Sequence, residues 1–523
     1  MRRPHLVPLL ILVLAGLPAG ATAQAKKGPT PGTTARSAVA RPTVASAAKR
    51  PAPKTTPRSA IRSSVPATAH ALRTYLGSLV TSSTNSGRWG VMVVSLTKGD
   101  TLYGFNSDEP LLPASTMKLY TSAFALESFG PAHQFRTDVL RDGAVLVDGT
   151  VQGNLILKGA GDPSLVPRYL TWNAGVQPMD ALAQQVVLAG IKHVNGDIVG
   201  DASAFERQRV PAGWRTRYLQ ASYAARVSAL SFNENLAHIT VRPSIRGAVV
   251  GFGQRVSGLG LRSTVTVRPN SKGASVRVWQ DTLTEQFRVS GWIGAQSRSR
   301  SYQVIVEQPE RYVAAAFRAA LEARGIKVDG TVRAGEAPTT SQRVTSWASP
   351  PLAQLVAQMN GESNNHFAEL LFRNAARSSG GVGSAFVANE SLRTFLTDRV
   401  GASREAVYAA DGSGLSTLDR VTPRSMVQLL GYTAAAPWGD VLQSSLPVAG
   451  RTETLRGRMR RTPAQGNLHA KTGTTNEVSS LGGYVRARNG EELAFAFIYN
   501  GRELWRAKAA IDAMGVTLAS FSR

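Results

Sequence analysis

One short stretch carries most of the structural information in this 523-residue chain: Pro113-Ala114-Ser115-Thr116-Met117-Lys118. The residues that follow are apolar at helical spacing as far as Phe129, which predicts a helix over 115–129. Ser115 and Lys118 stand three positions apart, so the hydroxyl and the amine share one face of that helix. Free backbone N–H groups at the helix start could stabilise a developing oxyanion. The pattern is typical of a serine nucleophile with a lysine base.

Taken alone, a Ser-x-x-Lys pattern is a weak signal. It also occurs at Ser46 and Ser95, where the surrounding sequence predicts a tether and a hairpin. The simpler alternative makes Ser115 a helix N-cap and Lys118 a solvated charge. The interpretation therefore depends on other motifs in the chain.

A second motif, Ser363-Asn364-Asn365, lies in a run with helical patterning from Pro351 to Arg377. Ser363 could complete a proton relay, and Asn365 could hold a substrate amide. The alternative is a polar helix cap or turn, because Ser-x-Asn also occurs elsewhere in the chain.

A third motif, Lys471-Thr472-Gly473, is the only such triplet in the chain, and it lies in a predicted strand from Leu468 to Thr475. Lys471 would supply a second cation. Gly473 would let a peptide approach an edge strand closely. An ordinary strand end is the alternative.

The remaining pattern predicts a split organisation in which helices and strands flank a β-rich middle from about 135 to 345. The individual predictions are a helix over 71–80, strands over 90–96 and 101–105, strands within 238–241 and 263–267, a helix over 311–324, a hairpin of 480–488 with 491–499 around Asn489-Gly490, and a final helix over 505–521.

Composition narrows the possible chemistry. The chain has no cysteine, which excludes disulfide scaffolds, thiol nucleophiles and cysteine-ligated metal sites. Its 60 Lys and Arg residues outnumber 34 Asp and Glu residues, a net charge of +26. The first acidic residue is Asp100, and the 99 residues before it hold 14 Lys or Arg residues, which is more than half of the excess. A length of 523 residues suits two or three domains.

The amino end has the features of a signal peptide over 1–23. Arg2 and Arg3 precede an apolar run from Leu6 to Leu17, and small residues follow at 21–23. The run is too short to cross a bilayer comfortably, so cleavage is favoured over a membrane anchor and no stable membrane span is expected. We therefore expect an exported protein of the periplasm or cell-wall space.

Residues 24–69 form a basic segment rich in Pro, Ala, Ser and Thr and nearly devoid of large apolar side chains. Such a segment cannot offset its ordering entropy by burial, which predicts a disordered tether. It is interpreted as a solvated linker, with attachment to anionic envelope polymers as the alternative. Nucleic acid is not an expected partner, because the segment lacks aromatic residues for stacking.

The sequence resembles the peptidase S13 family of low-molecular-mass class C penicillin-binding proteins, the D-alanyl-D-alanine carboxypeptidase/endopeptidase type. The resemblance runs from about residue 75 to the end of the chain. Besides the stretch 113–118, it rests on 161–165, 227–233, 411–416, 446–450 and 470–474, which read GDPSL, VSALSFN, DGSGLS, LPVAG and AKTGT.

The resemblance implies a fold class: an α/β (α+β) serine β-lactamase/transpeptidase-like domain with two inserted mostly-β domains between the first and second motifs. The implied boundaries are 70–134 and 346–523 for the penicillin-binding catalytic domain, 135–225 and 291–345 for inserted domain II, and 226–290 for inserted domain III.

The resemblance also implies an acyl-enzyme on Ser115, with Lys118 as its base. Ser363 and Lys471 would relay a proton, and Asn365 would hold the peptide amide. Further implied roles are binding of the terminal carboxylate by Lys471 and Thr472, an oxyanion site at the backbone N–H groups of Ser115 and Thr474, close approach at Gly473, and a substrate contact from Arg458.

The implied substrates are peptidoglycan stem peptides, cleaved at D-Ala-D-Ala or at D-Ala-diamino acid cross-links, and β-lactams would be covalent inhibitors. No cofactor or metal is expected, since the seven histidines show no HExxH spacing. A β-lactamase or esterase on the same fold, or a non-catalytic wall-binding protein, are the alternatives. The segment 213–218 lacks a carboxylate that the family often carries there, which favours a different or amidated stem-peptide residue, or looser specificity.

Overall fold

The computed structural model describes residues 66–169, 175–378 and 380–523 of the chain. The predicted signal peptide and the tether as far as residue 65 lie outside these described residues. Within the described residues, no helix combines the length and the apolar character that a membrane crossing requires. The predicted first helix is confirmed and begins at Ala69, capped by the Thr68 side chain.

The helices are, in chain order, α1 (Ala69–Ser82), α2 (Met117–Phe129), α3 (Pro178–Leu188), α4 (Pro309–Glu322), α5 (Leu352–Glu362), α6 (Asn365–Arg377), α7 (Ala385–Phe395), α8 (Pro423–Ala435), α9 (Gly439–Ser444) and α10 (Leu504–Ser520).

The strands are, in chain order, β1 (Arg88–Ser95), β2 (Thr101–Phe105), β3 (Arg136–Arg141), β4 (Thr150–Val151), β5 (Leu155–Gly159), β6 (His193–Val194), β7 (Ile198–Asp201), β8 (Leu236–Ser244), β9 (Gly247–Phe252), β10 (Leu261–Arg268), β11 (Ala274–Gln280), β12 (Phe287–Gly294), β13 (Arg300–Ile305), β14 (Lys327–Val328), β15 (Val332–Ala334), β16 (Gln342–Ala348), β17 (Val407–Tyr408), β18 (Arg420–Val421), β19 (His469–Thr474), β20 (Val478–Arg486) and β21 (Glu492–Asn500).

A five-stranded antiparallel sheet, in the order β19-β20-β21-β1-β2, forms the centre of the first folded region. The predicted hairpin at Asn489-Gly490 joins β20 to β21. Strand β1 then pairs with β21, which joins the two ends of the folded chain in one sheet.

Both faces of this sheet are covered by helices. Alternate residues of β21 belong to different apolar clusters: Phe495 packs with residues of α1 and α10, whereas Ala496 packs with residues of α2, α5, α6 and α8. This is the period-two alternation expected of a sheet buried on both sides. Helix α2 is buried on every side from Met117 to Leu126, so it lies inside the molecule rather than on its surface.

The middle of the chain forms the predicted β-rich part. A five-stranded sheet, in the order β15-β7-β5-β3-β16, packs with helices α3 and α4. Strand β16 pairs with β3 and so returns the chain to the point where it left the first region. Three three-stranded sheets complete this part: β10-β12-β11, β13-β8-β9 and the short sheet β14-β6-β4.

The predicted boundary between inserted domains III and II at 290 falls inside strand β12, Phe287–Gly294. Strand β13 also pairs with β8, so the sheet β13-β8-β9 extends to Ile305. The implied boundary at 290 therefore cuts through a strand, and the parallel pairing of β12 with β10 is a long-range contact that local sequence does not show. The other domain boundaries stay predictions.

Candidate active site

Ser115 lies in a tight turn that leads into α2. Residues Ala114–Thr116 form one turn of 3₁₀ helix, and Ala114 has a φ of 48°, in the left-handed region. The carbonyl oxygen of Pro113 accepts hydrogen bonds from Thr116 Oγ1 at 2.7 Å and from Ser480 Oγ at 2.7 Å. The turn is therefore tied to strand β20, which holds the Ser115 hydroxyl at the open side of the helix start.

Lys118 is fully buried directly beneath Ser115. Its Nζ lies 3.1 Å from Ser115 Oγ, as the i,i+3 spacing predicts. The same nitrogen donates to Asn365 Oδ1 at 2.7 Å and to the Ser413 carbonyl oxygen at 2.7 Å. Three separate chain segments therefore converge on one amine.

The environment of Lys118 adjusts its proton affinity. Burial lowers the pKa of Lys118 from 10.5 to about 8, and the carboxylates of Asp411, Glu369 and Asp419 oppose that shift. An amine with a pKa near the working pH can take a proton and give it back. The geometry and the pKa both fit a general base.

Asp411 organises the loop that faces Lys118. Its carboxylate accepts the backbone N–H groups of Ser413 at 2.9 Å, Gly414 at 2.6 Å and Ser416 at 2.8 Å. It also accepts Trp214 Nε1 at 2.6 Å, a side chain from the inserted part. The loop carries the Ser413 carbonyl that holds Lys118, so Asp411 positions this carbonyl.

Two more acids are buried near this loop. Burial raises the pKa of Glu369 to about 7, although Arg373 at 2.8 Å opposes the shift. Burial, reinforced by the nearby charge of Asp411, also holds the pKa of Asp419 well above its usual range. The acids around Lys118 therefore do not all carry a full charge at neutral pH.

The predicted helical run over 351–377 is broken at the second motif. Helix α5 ends at Glu362, and Ser363 adopts left-handed backbone angles of φ 57° and ψ 43°. Asn364 then caps α6 by accepting the Phe367 N–H at 3.1 Å. The break turns the Ser363 hydroxyl and the Asn365 amide toward the Ser115 side chain.

Lys471, on strand β19, makes a second serine–lysine pair. Its buried Nζ donates to Ser363 Oγ at 2.9 Å and to the Thr472 carbonyl oxygen at 3.1 Å. Burial holds the pKa of Lys471 well below its usual value, and the neighbouring charge of Lys118 lowers it further.

Gly473 lies against the nucleophile turn. A Cβ at this position would overlap Ser480 Oγ, lie 2.6 Å from the Pro113 carbonyl oxygen and lie 3.1 Å from the Ser115 nitrogen. Only glycine lets strand β19 approach Ser115 this closely.

A cleft of about 330 Å³ joins these groups. Its described lining residues are Ser115, Tyr218, Tyr223, Ser363, Asn365, Gly414, Leu415, Thr474, Thr475 and Asn476. The two lysines lie buried behind Ser115 and Ser363. Thr472 is turned toward Thr454, with 3.1 Å between their Oγ1 atoms.

Arg458 is not among the residues that line this cleft. Its guanidinium donates instead to Asp512 of α10, through Nε at 2.8 Å and Nη2 at 2.6 Å. The side chain is only 11% exposed, which fits a structural ion pair. The predicted substrate contact from Arg458 therefore has no support in this geometry, because its charge is already taken up by Asp512.

Sequence reasoning missed several residues of the site. Tyr218 and Tyr223 line the cleft, and the Tyr223 carbonyl accepts Asn365 Nδ2 at 3.0 Å. Asp411 lies in one of the family motifs, but its place there does not predict a role for it. The segment 213–218 gave an indirect signal for the role of Asp411. Its Trp214 donates to Asp411, and the next residue, Arg215, pairs with Glu477 through bonds of 2.8 and 2.6 Å.

The fold and the convergent serine–lysine pairs place the protein in the class of β-lactamase- and transpeptidase-like folds with inserted β-rich domains. The model of the D-Ala-D-Ala carboxypeptidase 3 (S13) family matches residues 76–521. The chain belongs to this family.

Known relatives agree with that assignment. The chain is 32% identical over 449 residues to a D-alanyl-D-alanine carboxypeptidase of Actinomadura sp. (strain R39), covering 83% of this chain and 81% of the relative. It is 25% identical over 429 residues to the D-alanyl-D-alanine carboxypeptidase DacB of Haemophilus influenzae, covering 79% and 85%. The crystal structure of penicillin binding protein 4 from Haemophilus influenzae is similar in fold, with a TM-score of 0.71 at 24% identity, covering 84% of this chain and 99% of that chain.

Proposed function

We propose that this chain is a serine-type D-alanyl-D-alanine carboxypeptidase that acts on peptidoglycan stem peptides through an acyl-enzyme on Ser115. The observation that carries the proposal is the 3.1 Å contact between Lys118 Nζ and Ser115 Oγ at a cleft built from three distant motifs. Membership of the S13 family and the named activity of the Actinomadura relative support it.

In the acylation step, Ser115 Oγ attacks the carbonyl carbon between the two D-alanines. Lys118 Nζ accepts the hydroxyl proton as the new C–O bond forms. The oxyanion is held by the backbone N–H groups of Ser115 and Thr474, which the close approach at Gly473 keeps together.

Collapse of this intermediate breaks the C–N bond and releases D-alanine. The departing nitrogen takes a proton that passes from Lys118 through the Ser363 hydroxyl, which Lys471 contacts at 2.9 Å. Lys471 and Thr472 bind the terminal carboxylate of the substrate. Because a bound carboxylate favours the ammonium form, it raises the pKa of Lys471 and couples substrate binding to proton uptake.

Water then attacks the acyl-enzyme carbonyl while Lys118 accepts one of its protons, and Lys118 returns this proton to Ser115 Oγ as the ester C–O bond breaks. A β-lactam would acylate the same serine, because its strained amide presents a similar carbonyl. The described residues that line the cleft include no carboxylate that could activate water quickly. This supports a peptidase that β-lactams inhibit over a β-lactamase that turns them over.

Export to the periplasm or cell-wall space belongs to the same proposal. Its support is the amino-terminal sequence, with Arg2, Arg3 and the apolar run that follows. The substrate side chain also stays a prediction. Trp214 and Arg215 are engaged by Asp411 and Glu477, which is consistent with an amidated or different stem-peptide residue.

The test is covalent labelling by fluorescent penicillin together with D-alanine release from a D-Ala-D-Ala peptide. The Ser115→Ala variant is expected to lose both. Ser128→Ala is the matched control, since that hydroxyl lies on the same helix and only donates to the Phe124 carbonyl. Labelling that survives in Ser115→Ala would refute the nucleophile, and rapid nitrocefin turnover by the wild type would favour a β-lactamase.

A further inference from the structure

The sheet β10-β12-β11 has two chemically different faces. Its inward face packs on the sheet β13-β8-β9 and contributes to one apolar cluster, with Val265, Phe287, Val289, Ile293 and Val276 among its members. The intervening residues must point the other way, because side chains alternate along a strand.

The outward face combines arginines, indoles and hydroxyls in a regular grid. The register aligns Arg262 with Arg288 and Trp279, and it aligns Thr266 with Trp292 and Ser275. Between these two rows lie Thr264, Ser290 and Arg277, and Arg268 extends the face at one end. Most of these side chains are exposed, and the two indoles are half-buried.

This face belongs to a strongly basic part of the folded chain. Residues 236–305 contain ten Lys or Arg residues against two Asp or Glu residues, a net charge of +8. Arg288 is paired with Asp281 at 3.0 Å. Among the described residues, no carboxylate forms an ion pair with Arg262, Arg268 or Arg277. Their charge is thus available to an anionic ligand.

The indoles are held in place by the arginines. The Arg268 guanidinium lies 4.1 Å from the centre of the Trp292 ring, and that of Arg277 lies 5.4 Å from Trp279. Such pairs orient a guanidinium edge toward solvent, where it can bind a carboxylate. The exposed edges of the indoles offer apolar area to sugar rings, and the Ser and Thr hydroxyls between them can bond to sugar hydroxyls.

We propose that the outward face of β10-β12-β11 binds the glycan strands of peptidoglycan, contacting sugar rings through Trp279 and Trp292 and stem-peptide carboxylates through Arg262, Arg268 and Arg277. The choice of peptidoglycan rests on the proposed function. A second contact with the polymer raises the effective concentration of its stem peptides at the cleft without changing the cleft itself.

The test is co-sedimentation of the full chain with purified insoluble peptidoglycan, stripped by acid of phosphate-containing polymers. We expect Arg268→Ser/Arg277→Ser to weaken binding about tenfold at low salt, while release of D-alanine from a small soluble peptide is unchanged. The matched control is Arg242→Ser/Arg246→Ser, which removes the same charge from exposed positions on the other sheet and its hairpin. Trp279→Leu tests the aromatic contribution and is expected to weaken binding about threefold.

Several outcomes would overturn the inference. Equal losses in the two double variants would mean that net charge, rather than this face, attracts the polymer. Loss of binding on acid stripping would assign the face to a phosphate-bearing polymer. Tighter binding of a single-stranded oligonucleotide than of peptidoglycan would assign it to nucleic acid. Binding is measured without turnover, so the binding result can be interpreted even if the protein lacks peptidase activity. Loss of peptidase activity alone would refute only the proposed function.

Discussion

Two serine–lysine pairs face the same cleft and differ in their surroundings. Lys118 lies 3.1 Å from Ser115 Oγ, and Lys471 lies 2.9 Å from Ser363 Oγ, so the two pairs are alike in geometry. Both amines are fully buried. Lys118 faces the carboxylates of Asp411, Glu369 and Asp419, whereas the charged group that acts on Lys471 is Lys118 itself.

The difference shows how one residue type can serve two purposes. Burial lowers the pKa of both amines, but the carboxylates keep that of Lys118 at about 8, while that of Lys471 falls well below its usual value. Lys118 is therefore poised to exchange a proton with Ser115 near neutral pH. Lys471 is left to gain its charge when a substrate carboxylate arrives.

Replacing each buried lysine by alanine should give the largest difference between the two pairs. We expect Lys118→Ala to slow acylation by penicillin about 10³-fold, because the serine loses its base. Lys471→Ala should slow it less, by about 10²-fold, and should raise KM for the peptide more than it lowers kcat. Stopped-flow acylation and steady-state kinetics measure both. Equal effects of the two substitutions, with folding intact, would show that the pairs do not differ in role.

A methyl group at Gly473 should move the Lys471–Ser363 pair away from the Lys118–Ser115 pair. Its Cβ would overlap Ser480 Oγ and crowd the Pro113 carbonyl, so β19 must shift away from Ser115. We expect Gly473→Ala to slow acylation about 10²-fold through loss of the oxyanion site. Gly457→Ala is the control, since no heavy atom lies within 4 Å of its added Cβ. Normal acylation by Gly473→Ala would remove β19 from the reaction.

Neutralising Asp411 should change the pKa of Lys118 more than that of Lys471, because only Lys118 faces this carboxylate. Acylation requires the neutral amine, so its rate should rise with pH to a plateau above a midpoint near 8. Asp411→Asn removes a charge that favours the ammonium, so the midpoint should move to lower pH, with a plateau about tenfold lower. The exposed Asp398→Asn serves as control. A lower plateau with an unmoved midpoint would mean that Asp411 acts on the loop alone.

Arg458 should affect neither pair. Its charge is neutralised by Asp512, and loss of these charged hydrogen bonds should lower the free energy of unfolding by about 2 kcal/mol. We expect Arg458→Ala to acylate at the wild-type rate at 25 °C, with a lower Tm in thermal unfolding. A selective rise in KM for the peptide would restore Arg458 as a substrate contact.

Local pattern was sufficient to predict most elements around the cleft. The helix after Ser115, the hairpin at Asn489-Gly490, the strand containing Lys471 and the final helix are all confirmed, since each has a short-range periodic or turn signal. The chemistry of the nucleophile was also readable, because Ser115 and Lys118 share one helix face.

Features that depend on long-range contacts could not be predicted from local sequence. The break at Ser363 depends on a left-handed residue in an otherwise helical pattern, and the local sequence offered it only as one alternative, a polar helix cap or turn. The role of Asp411 depends on Trp214, almost 200 residues away in sequence, whose Nε1 lies 2.6 Å from its carboxylate. The substrate contact from Arg458 was implied only by the family resemblance, and its ion-pair partner Asp512 lies on α10.

Direct titration of the two buried amines is the most direct test of the difference between them. Lysine side chains labelled with ¹³C at Cε report the charge of each Nζ by NMR, and Lys118→Arg and Lys471→Arg assign the two signals. We expect Lys118 to titrate near pH 8 in the free protein, Lys471 to titrate well below the usual pKa of 10.5 for a lysine, and Asp411→Asn to lower the Lys118 midpoint. A Lys118 amine that stays protonated above pH 10 would contradict its assignment as the base.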